Sequence, residues 1–221
     1  MIAQIYTMQS SEEALAVIDR GVDHVGVTPS SIGLPGEVSL DLAAYIVDAV
    51  RDKAVSVALS VESDINNIVQ MVKWVKPDIL HLCGLENTLP PQAVQQLKEK
   101  LPMQKIMQAI SVAGPEAIDI AQAYAKVVDY LILDTQDPNI AGIGASGATH
   151  DWSISQRIVQ KVQIPVILAG GLSPENVAEA ISEVTPWGVD SLTHTNQKLA
   201  NGTFQKDLNR VALFVKAAKG S

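Results

Sequence analysis

Short apolar segments alternate with longer amphipathic segments along the whole chain. The apolar segments are rich in β-branched residues, and several are almost continuously apolar, which is typical of parallel strands covered by helices. These predicted strands span residues 2–8, 23–28, 54–60, 77–83, 104–110, 128–134, 164–170 and 188–194. Eight strand–helix units with short connections predict an α/β protein, specifically a (β/α)₈ TIM barrel, rather than an open doubly wound sheet.

Signals for helix ends fall between the predicted strands. A capping box that begins at Ser10 precedes the first helix, and Asp151 can cap the segment WSISQRIVQKV. Pro115 and Pro174 each stand where a first helical residue is expected, a position that needs no N–H donor. The last helix is predicted over residues 204–218.

Length and composition restrict the class of protein. A chain of 221 residues, 47% of them apolar, is expected to form a single barrel domain over residues 1–221. The net charge of -8 and the dispersed basic residues argue against a nucleic-acid partner. Cys83 is the only cysteine, so an internal disulfide is excluded. No signal peptide and no apolar segment of ~20 residues is present, so we expect a cytoplasmic protein without a membrane partner.

The barrel prediction places the active site at the C-terminal ends of the strands, with a phosphate site after strands seven and eight. The stretch VILAGGLSPENVAEAI, residues 166–181, lies at that position. Gly170 and Gly171 allow the backbone to approach an anion, and a helix starting at Pro174 would direct free N–H groups toward it. A tight turn would also use two glycines, so the glycines alone leave both interpretations open.

Three stretches together resemble a known family. LILDTQ (131–136), GASGATHDW (144–152) and LAGGLSPENVAEAI (168–181) are similar, in order and spacing, to the phosphoribosylanthranilate isomerase family of tryptophan biosynthesis. That family reads roughly LLDT, GGTGxxFDW and LAGGLxPENVxxAI. The resemblance extends to SSEEALAVIDRGVDHVGV near the start and NGTFQKD near the end, and therefore covers nearly the whole chain.

The resemblance implies a (β/α)₈ barrel that converts an aminoaldose phosphate into an aminoketose phosphate without a cofactor. A general acid protonates the ring oxygen, and a general base removes the proton from C2. The acid of the family corresponds to Asp134, which could otherwise be a structural acid at the end of a strand. The partner is then a small phosphorylated substrate. Its predicted phosphate site comprises Gly144, Ser146, Gly147, Gly170, Gly171 and Thr193.

The sequence departs from the family pattern at several places, including strand four, where LHLCG stands in place of VQLHG. Tyr6 stands where the family has its catalytic cysteine, and a phenol with a pKa near ~10 is a weak base. The segment VTPSSIGLPGEVS (27–39) lacks the arginine that binds the anthranilate carboxylate, so anthranilate is expected to bind poorly. Leu192, Thr193 and His194 replace the Ser-Ser-Gly that follows strand eight.

The general base therefore has four candidates: Tyr6, His81, Cys83 and His194. Alternation along the fourth strand puts His81 and Cys83 on one face, although a lone cysteine is often only a small buried apolar residue. Histidine titrates near neutral pH, which favours His194 slightly. The sequence leaves the choice open.

The histidines do not predict a metal site. His24, His81, His150 and His194 lack a spacing typical of metal ligands. His150 lies beside the capping Asp151 and is expected to face solvent.

Three functional hypotheses follow. The leading one is an isomerase that acts on a phosphorylated sugar by acid–base aldose–ketose isomerisation, with a substrate other than phosphoribosylanthranilate. The second is an authentic phosphoribosylanthranilate isomerase, and the third is a barrel that binds a phosphorylated ligand without catalysis. The sequence predicts no oligomeric state.

Overall fold

The computed structural model describes residues 1–85, 88–135, 142–144 and 149–220. Eight parallel strands form a closed barrel in chain order, and β8 pairs with β1. The strands are β1 Ile2–Ile5, β2 His24–Val27, β3 Val55–Ser60, β4 Ile79–Leu82, β5 Lys105–Ser111, β6 Tyr130–Asp134, β7 Val166–Leu168 and β8 Gly188–Ser191. Each predicted strand overlaps an observed one, and the TIM barrel prediction is confirmed.

Helices follow the strands and cover the barrel. They are α1 Ser11–Ile18, α2 Leu40–Ala49, α3 Ile65–Val75, α4 Pro91–Lys100, α5 Ala117–Tyr124, α6 Trp152–Lys161, α7 Val177–Val184 and α8 Leu208–Lys219. None of the helices in the described parts of the chain is both long and apolar enough to span a membrane.

Two apolar clusters stabilise the barrel. The larger cluster fills the space between the strands and the helices, as expected when both faces of a parallel sheet are covered. The smaller one lies inside the barrel and includes Val57, Ile79, Met107, Ile132 and Ile167.

The local helix-capping predictions are confirmed where a side chain caps the helix. The Ser10 hydroxyl accepts a hydrogen bond of 3.1 Å from the N–H of Glu13, and the Glu13 carboxylate accepts one from the N–H of Gln9. Asp151 accepts a hydrogen bond of 2.9 Å from the N–H of Ser153 at the start of α6. Both caps involve residues close in sequence, which explains why they can be identified locally.

The predicted helix starts at Pro115 and Pro174 are wrong. Both prolines lie in turns that precede the helices, because α5 begins at Ala117 and α7 begins at Val177. Proline supplies the fixed φ angle that favours a turn just as it favours the first helical residue.

The predicted start of the last helix is also wrong. Phe204–Lys206 forms strand β10, which pairs antiparallel with β9, Asn196–Lys198, after a short 3₁₀ helix at Thr193–Thr195. Helix α8 begins only after Asp207, whose carboxylate accepts hydrogen bonds from the first turn. This β9–β10 hairpin lies beside the end of β1, and it brings a lysine to the site.

Candidate active site

Two connected pockets lie at the C-terminal ends of the strands. The larger has a volume of about 560 Å³ and a mainly apolar lining that includes Leu34, Leu59 and Ile132. The smaller has a volume of about 280 Å³ and lies between the ends of β7 and β8. Asp134 and Asp190 line both pockets, so a ligand that occupies both would pass beside two carboxyl groups.

Asp134 is the last residue of β6, at the boundary between the pockets. One oxygen, Oδ1, accepts a hydrogen bond of 2.7 Å from the N–H of Thr135. Gly144 has a φ angle of 104° and lies against Oδ2, where a Cβ atom would overlap the carboxylate. Burial raises the pKa of Asp134 to about 7, so part of the population carries a proton at neutral pH.

The Gly170–Gly171 turn forms one wall of the smaller pocket. Both residues have positive φ angles, 81° and 63°, which glycine adopts without steric cost. The Asn176 side chain donates a hydrogen bond of 3.1 Å to the carbonyl of Gly171, and Ser191 donates one of 2.8 Å to Leu172. These contacts fix the turn against the end of β8.

The other predicted phosphate residues have different positions. Thr193 lines the smaller pocket. Gly144 lines the larger pocket, beside Asp134. The predicted positions Ser146 and Gly147 lie outside the described residues.

Tyr6 and His81 face each other inside the barrel. The Tyr6 hydroxyl lies 3.0 Å from Nδ1 of His81, and both side chains are buried. The phenol ring occupies the space above Gly26, where any Cβ atom would overlap it. Burial, with the charges of Asp190 and Cys83, raises the pKa of Tyr6 well above its ordinary value. Burial also lowers the pKa of His81 to about 3.

Cys83 lies beside this pair at the end of β4. Its thiol donates a hydrogen bond of 2.7 Å to the carbonyl of Ile143. Burial, together with the nearby Asp134, raises the pKa of the Cys83 thiol to about 12. The thiol is therefore protonated at neutral pH.

His194 has a different environment from the other base candidates. It belongs to the 3₁₀ helix after β8, is partly buried and lines the smaller pocket with Thr193. Its backbone carbonyl accepts a hydrogen bond of 2.6 Å from Nε of Arg210. The larger pocket is lined by Tyr6, His81 and Cys83 instead.

Sequence reasoning missed Asp190 as a site residue. Asp190 belongs to β8, is only 6% exposed, and pairs in register with Gln4 of β1. Burial and the neighbouring Asp134 raise the pKa of Asp190 to about 8, against smaller opposing effects of Gln4 and Lys206. An acid within an otherwise apolar strand was the available signal, because burying a carboxyl group is costly.

Sequence reasoning also missed Lys206 of β10. Its ammonium group donates hydrogen bonds to the backbone carbonyl of Tyr6 and to Oδ1 of Asn196. The side chain is buried, and burial lowers the pKa of Lys206 to about 7. The available signal was the resemblance of NGTFQKD to the family pattern, but the same segment also reads as the start of a helix.

The loop after β2 closes one side of the larger pocket. The Glu37 carboxylate accepts hydrogen bonds of 3.0 Å from the N–H groups of Ile32, Gly33 and Leu34 and so holds the loop together. Among the described residues, no lysine or arginine lines this pocket. The lining does contain the hydroxyl groups of Thr7 and Thr28, and Thr28 donates a hydrogen bond of 3.1 Å to Thr7.

His150 is not directed to solvent, contrary to the sequence-based expectation. Its Nε2 lies 2.7 Å from the Ser155 hydroxyl, and its Nδ1 lies 3.2 Å from the Thr135 hydroxyl. The ring packs behind Gly170, in a position that links α6 to the glycine turn. Within the described ranges, no three histidine, cysteine or acidic side chains are grouped closely enough to hold a metal ion.

Comparison with known proteins gives a consistent result. Residues 3–217 match the family described as N-(5'-phosphoribosyl)anthranilate (PRA) isomerase. The N-(5'-phosphoribosyl)anthranilate isomerase of Methanocella arvoryzae is 33% identical over 208 residues, which covers 94% of this chain and 93% of that protein.

Solved structures agree with this match. The phosphoribosyl anthranilate isomerase of Thermotoga maritima superposes with a TM-score of 0.81 at 26% identity, and the alignment covers 100% of both chains. A further phosphoribosyl anthranilate isomerase superposes with a TM-score of 0.79 at 24% identity over 100% of both chains. That protein was solved with reduced 1-(o-carboxyphenylamino)-1-deoxyribulose 5-phosphate. The chain is therefore an isomerase that belongs to the N-(5'-phosphoribosyl)anthranilate isomerase family.

Proposed function

We propose that the protein catalyses the isomerisation of N-(5'-phosphoribosyl)anthranilate in tryptophan biosynthesis. The names of its relatives support this second hypothesis better than the leading one, since they give no support to a changed substrate. The observation that carries the proposal is the position of Asp134, which lines both the apolar pocket and the pocket at the glycine turn.

The shape of the substrate fits this arrangement. Its phosphate group would occupy the smaller pocket, where Gly170, Gly171 and Thr193 offer backbone and hydroxyl groups. Its aromatic ring would occupy the larger, mainly apolar pocket. The ribose joins these two groups and would therefore lie beside Asp134.

Asp134 would act as the general acid. Its pKa, raised to about 7 by burial, keeps a proton available at neutral pH. Donation of this proton to the ring oxygen breaks the bond between C1 and the ring oxygen, while the nitrogen lone pair forms a C1=N bond. A base then removes the C2 proton, and the electron pair of that bond forms C1=C2 as nitrogen regains its lone pair.

The aromatic carboxylate would be received by hydroxyl groups. Thr7 accepts the hydrogen bond of Thr28, so its own hydroxyl hydrogen can be donated to a carboxylate in the larger pocket. A neutral donor binds a carboxylate less strongly than a guanidinium group does. We therefore expect this substrate to bind with a higher KM than in a protein that uses an arginine.

The test is turnover of phosphoribosylanthranilate, followed by the loss of anthranilate fluorescence. We expect the wild-type protein to be active and Asp134→Asn to lose about 10²- to 10⁴-fold in kcat, because the amide cannot donate the same proton. Asp119→Asn, an exposed substitution on α5, is the matched control and should leave kcat unchanged.

Two results would contradict the proposal. Folded wild-type protein that does not convert phosphoribosylanthranilate would exclude this substrate. The reduced product analogue is reduced 1-(o-carboxyphenylamino)-1-deoxyribulose 5-phosphate. Its tight binding without any turnover would instead support a barrel that binds a phosphorylated ligand and does not catalyse.

A further inference from the structure

A C2 proton is not readily removed at neutral pH by Tyr6, which follows β1, or by His81 and Cys83 at the end of β4. The Tyr6 hydroxyl is paired with His81, and its pKa is raised well above the ordinary value by burial. His81 is a very weak base, because burial lowers its pKa to about 3. The Cys83 thiol is protonated and donates to the carbonyl of Ile143.

Asp190 has the geometry that these side chains lack. Asp190 is only 6% exposed, yet it contributes to the lining of both pockets. Its Oδ1 atom has no hydrogen-bond partner among the described residues. A buried carboxylate oxygen without a donor costs free energy unless a ligand or a function compensates for it.

Asp190 and Asp134 flank the route that the sugar must take. The two carboxyl groups come from β8 and β6, and each lines the apolar pocket as well as the pocket at the glycine turn. A ribose that connects the phosphate to the aromatic ring would lie over the C-terminal ends of these strands. Both carboxyl groups therefore border the space that the ring oxygen and C2 of the sugar would occupy.

We propose that Asp190 is the general base that removes the C2 proton, in place of a thiol at the end of β1. This inference rests on the proposed function, because it assigns a step of that same reaction. Asp134 gives its proton to the ring oxygen, and the ionised Asp190 then takes the proton from C2. Ketonisation of the resulting enol returns a proton to C1 and removes the one on O2, which restores a protonated and an ionised carboxyl group.

Electrostatics lets the two carboxyl groups share a proton, but the higher pKa of Asp190 places that proton on Asp190 more often than on Asp134. The reacting form, with Asp134 protonated and Asp190 ionised, is therefore the minor one. Like charges close together do not ionise independently, so a pair of carboxyl groups retains one proton over a wide pH range. The charge of Asp134 raises the pKa of Asp190, and the groups facing Asp190 from other elements are Tyr6, Cys83 and Lys206. At neutral pH the pair thus contains one acid and one base.

The first experiment compares kcat for phosphoribosylanthranilate between the wild type, Asp190→Asn and Asp190→Ala. We expect each variant to lose about 10²- to 10⁴-fold in kcat. Added formate should restore part of the activity of Asp190→Ala, because a small carboxylate can occupy the space that is left. Formate should not activate Asp190→Asn, whose amide fills that space. Binding of the reduced product analogue, measured by calorimetry, should change by less than about threefold.

A substrate deuterated at C2 distinguishes the base from the acid. In Asp190→Asn, removal of the C2 proton becomes rate-limiting, so a primary isotope effect on kcat should appear. In Asp134→Asn, ring opening becomes rate-limiting, so the isotope effect should be close to one. A residue that only supports the fold would change neither isotope effect in this selective way.

The outcomes separate this inference from the proposed function. An active wild type with Asp190→Asn within tenfold of its kcat would overturn the role of Asp190 and leave the proposed function intact. A loss of activity in Tyr6→Phe but not in Asp190→Asn would assign the base to Tyr6. An inactive wild type would reject the proposed function, and the role of Asp190 in this reaction with it.

Discussion

At the residue scale, burial determines which ionisable side chains can transfer protons in this site. An imidazole titrates near neutral pH and a thiol about two units above it, so His81 and Cys83 could serve as bases at their ordinary pKa values, whereas the Tyr6 phenol could not. Burial favours the neutral form of each group, so none of them accepts a proton readily at pH 7. The same burial raises the pKa values of Asp134 and Asp190 to near neutrality, where a carboxyl group can both donate and accept a proton.

The contact between Gly144 and Asp134 gives a prediction at this scale. In Gly144→Ala the new methyl group would overlap Oδ2 of Asp134 and displace the carboxyl group. We expect at least a tenfold loss of kcat, in addition to a stability cost of roughly 1–3 kcal/mol from the positive φ angle. Turnover of phosphoribosylanthranilate and urea unfolding measure the two effects.

Gly202→Ala is the matched control for that substitution. Gly202 has a φ angle of 84°, and no atom lies within 4 Å of its would-be Cβ. This variant should therefore show a similar backbone cost without a loss of kcat. If both alanine variants keep full activity, Gly144 does not position Asp134.

At the element scale, the sequence predicted features that depend on neighbouring residues, such as helix caps. It did not predict contacts between residues that are distant along the chain. Ser10 and Asp151 cap helices through groups two or three residues away, so the local sequence is sufficient. Lys206 contacts the backbone of Tyr6 across 200 residues, and no local pattern contains that information. The β9–β10 hairpin was missed for the same reason, because its amphipathic sequence also suits the start of a helix.

The hairpin lysine gives a prediction at the element scale. In Lys206→Met, the carbonyl of Tyr6 and the side chain of Asn196 lose their buried donor. An unpaired buried polar group costs about 1–3 kcal/mol, so the free energy of unfolding should fall by that amount. Urea unfolding at neutral pH measures it.

Lys198→Met on the neighbouring strand is the control. Lys198 is exposed and pairs with Phe204 across the hairpin, so its substitution should change stability by less than about 0.5 kcal/mol. An equal effect of both substitutions would mean that Lys206 does not link the hairpin to β1.

At the scale of the whole molecule, the closed barrel buries ionisable side chains, and their shifted pKa values make the free energy of unfolding depend on pH. Asp190 has a pKa of about 8 when folded and near 4 when unfolded, so the folded protein binds more protons between these values. The ionisation of Asp190 therefore lowers the free energy of unfolding as pH rises through this range. Asp134, with a pKa of about 7, acts in the same direction. Three histidines with lowered pKa values, His24, His81 and His150, act oppositely below pH ~6.5. Lys206, whose pKa is lowered to about 7, acts oppositely above that value.

Asp190→Asn tests this linkage. The stability of the variant relative to the wild type should increase between pH 5 and pH 8, by at most about 1.4 kcal/mol per pH unit. Urea unfolding at several pH values, with Asp119→Asn as the exposed control, gives the difference. A difference that does not change with pH would show that Asp190 ionises normally in the folded protein.

The sequence by itself determined the fold class, the strand order and the position of the site. Alternating apolar and amphipathic segments leave few ways to bury eight strands, so the order of the segments along the chain is enough to predict the barrel. The tertiary structure alone decided the pairing of Tyr6 with His81, the insertion of Lys206 and the approach of Asp190 to Asp134. These features depend on contacts between distant residues and on burial, and neither can be obtained from local sequence.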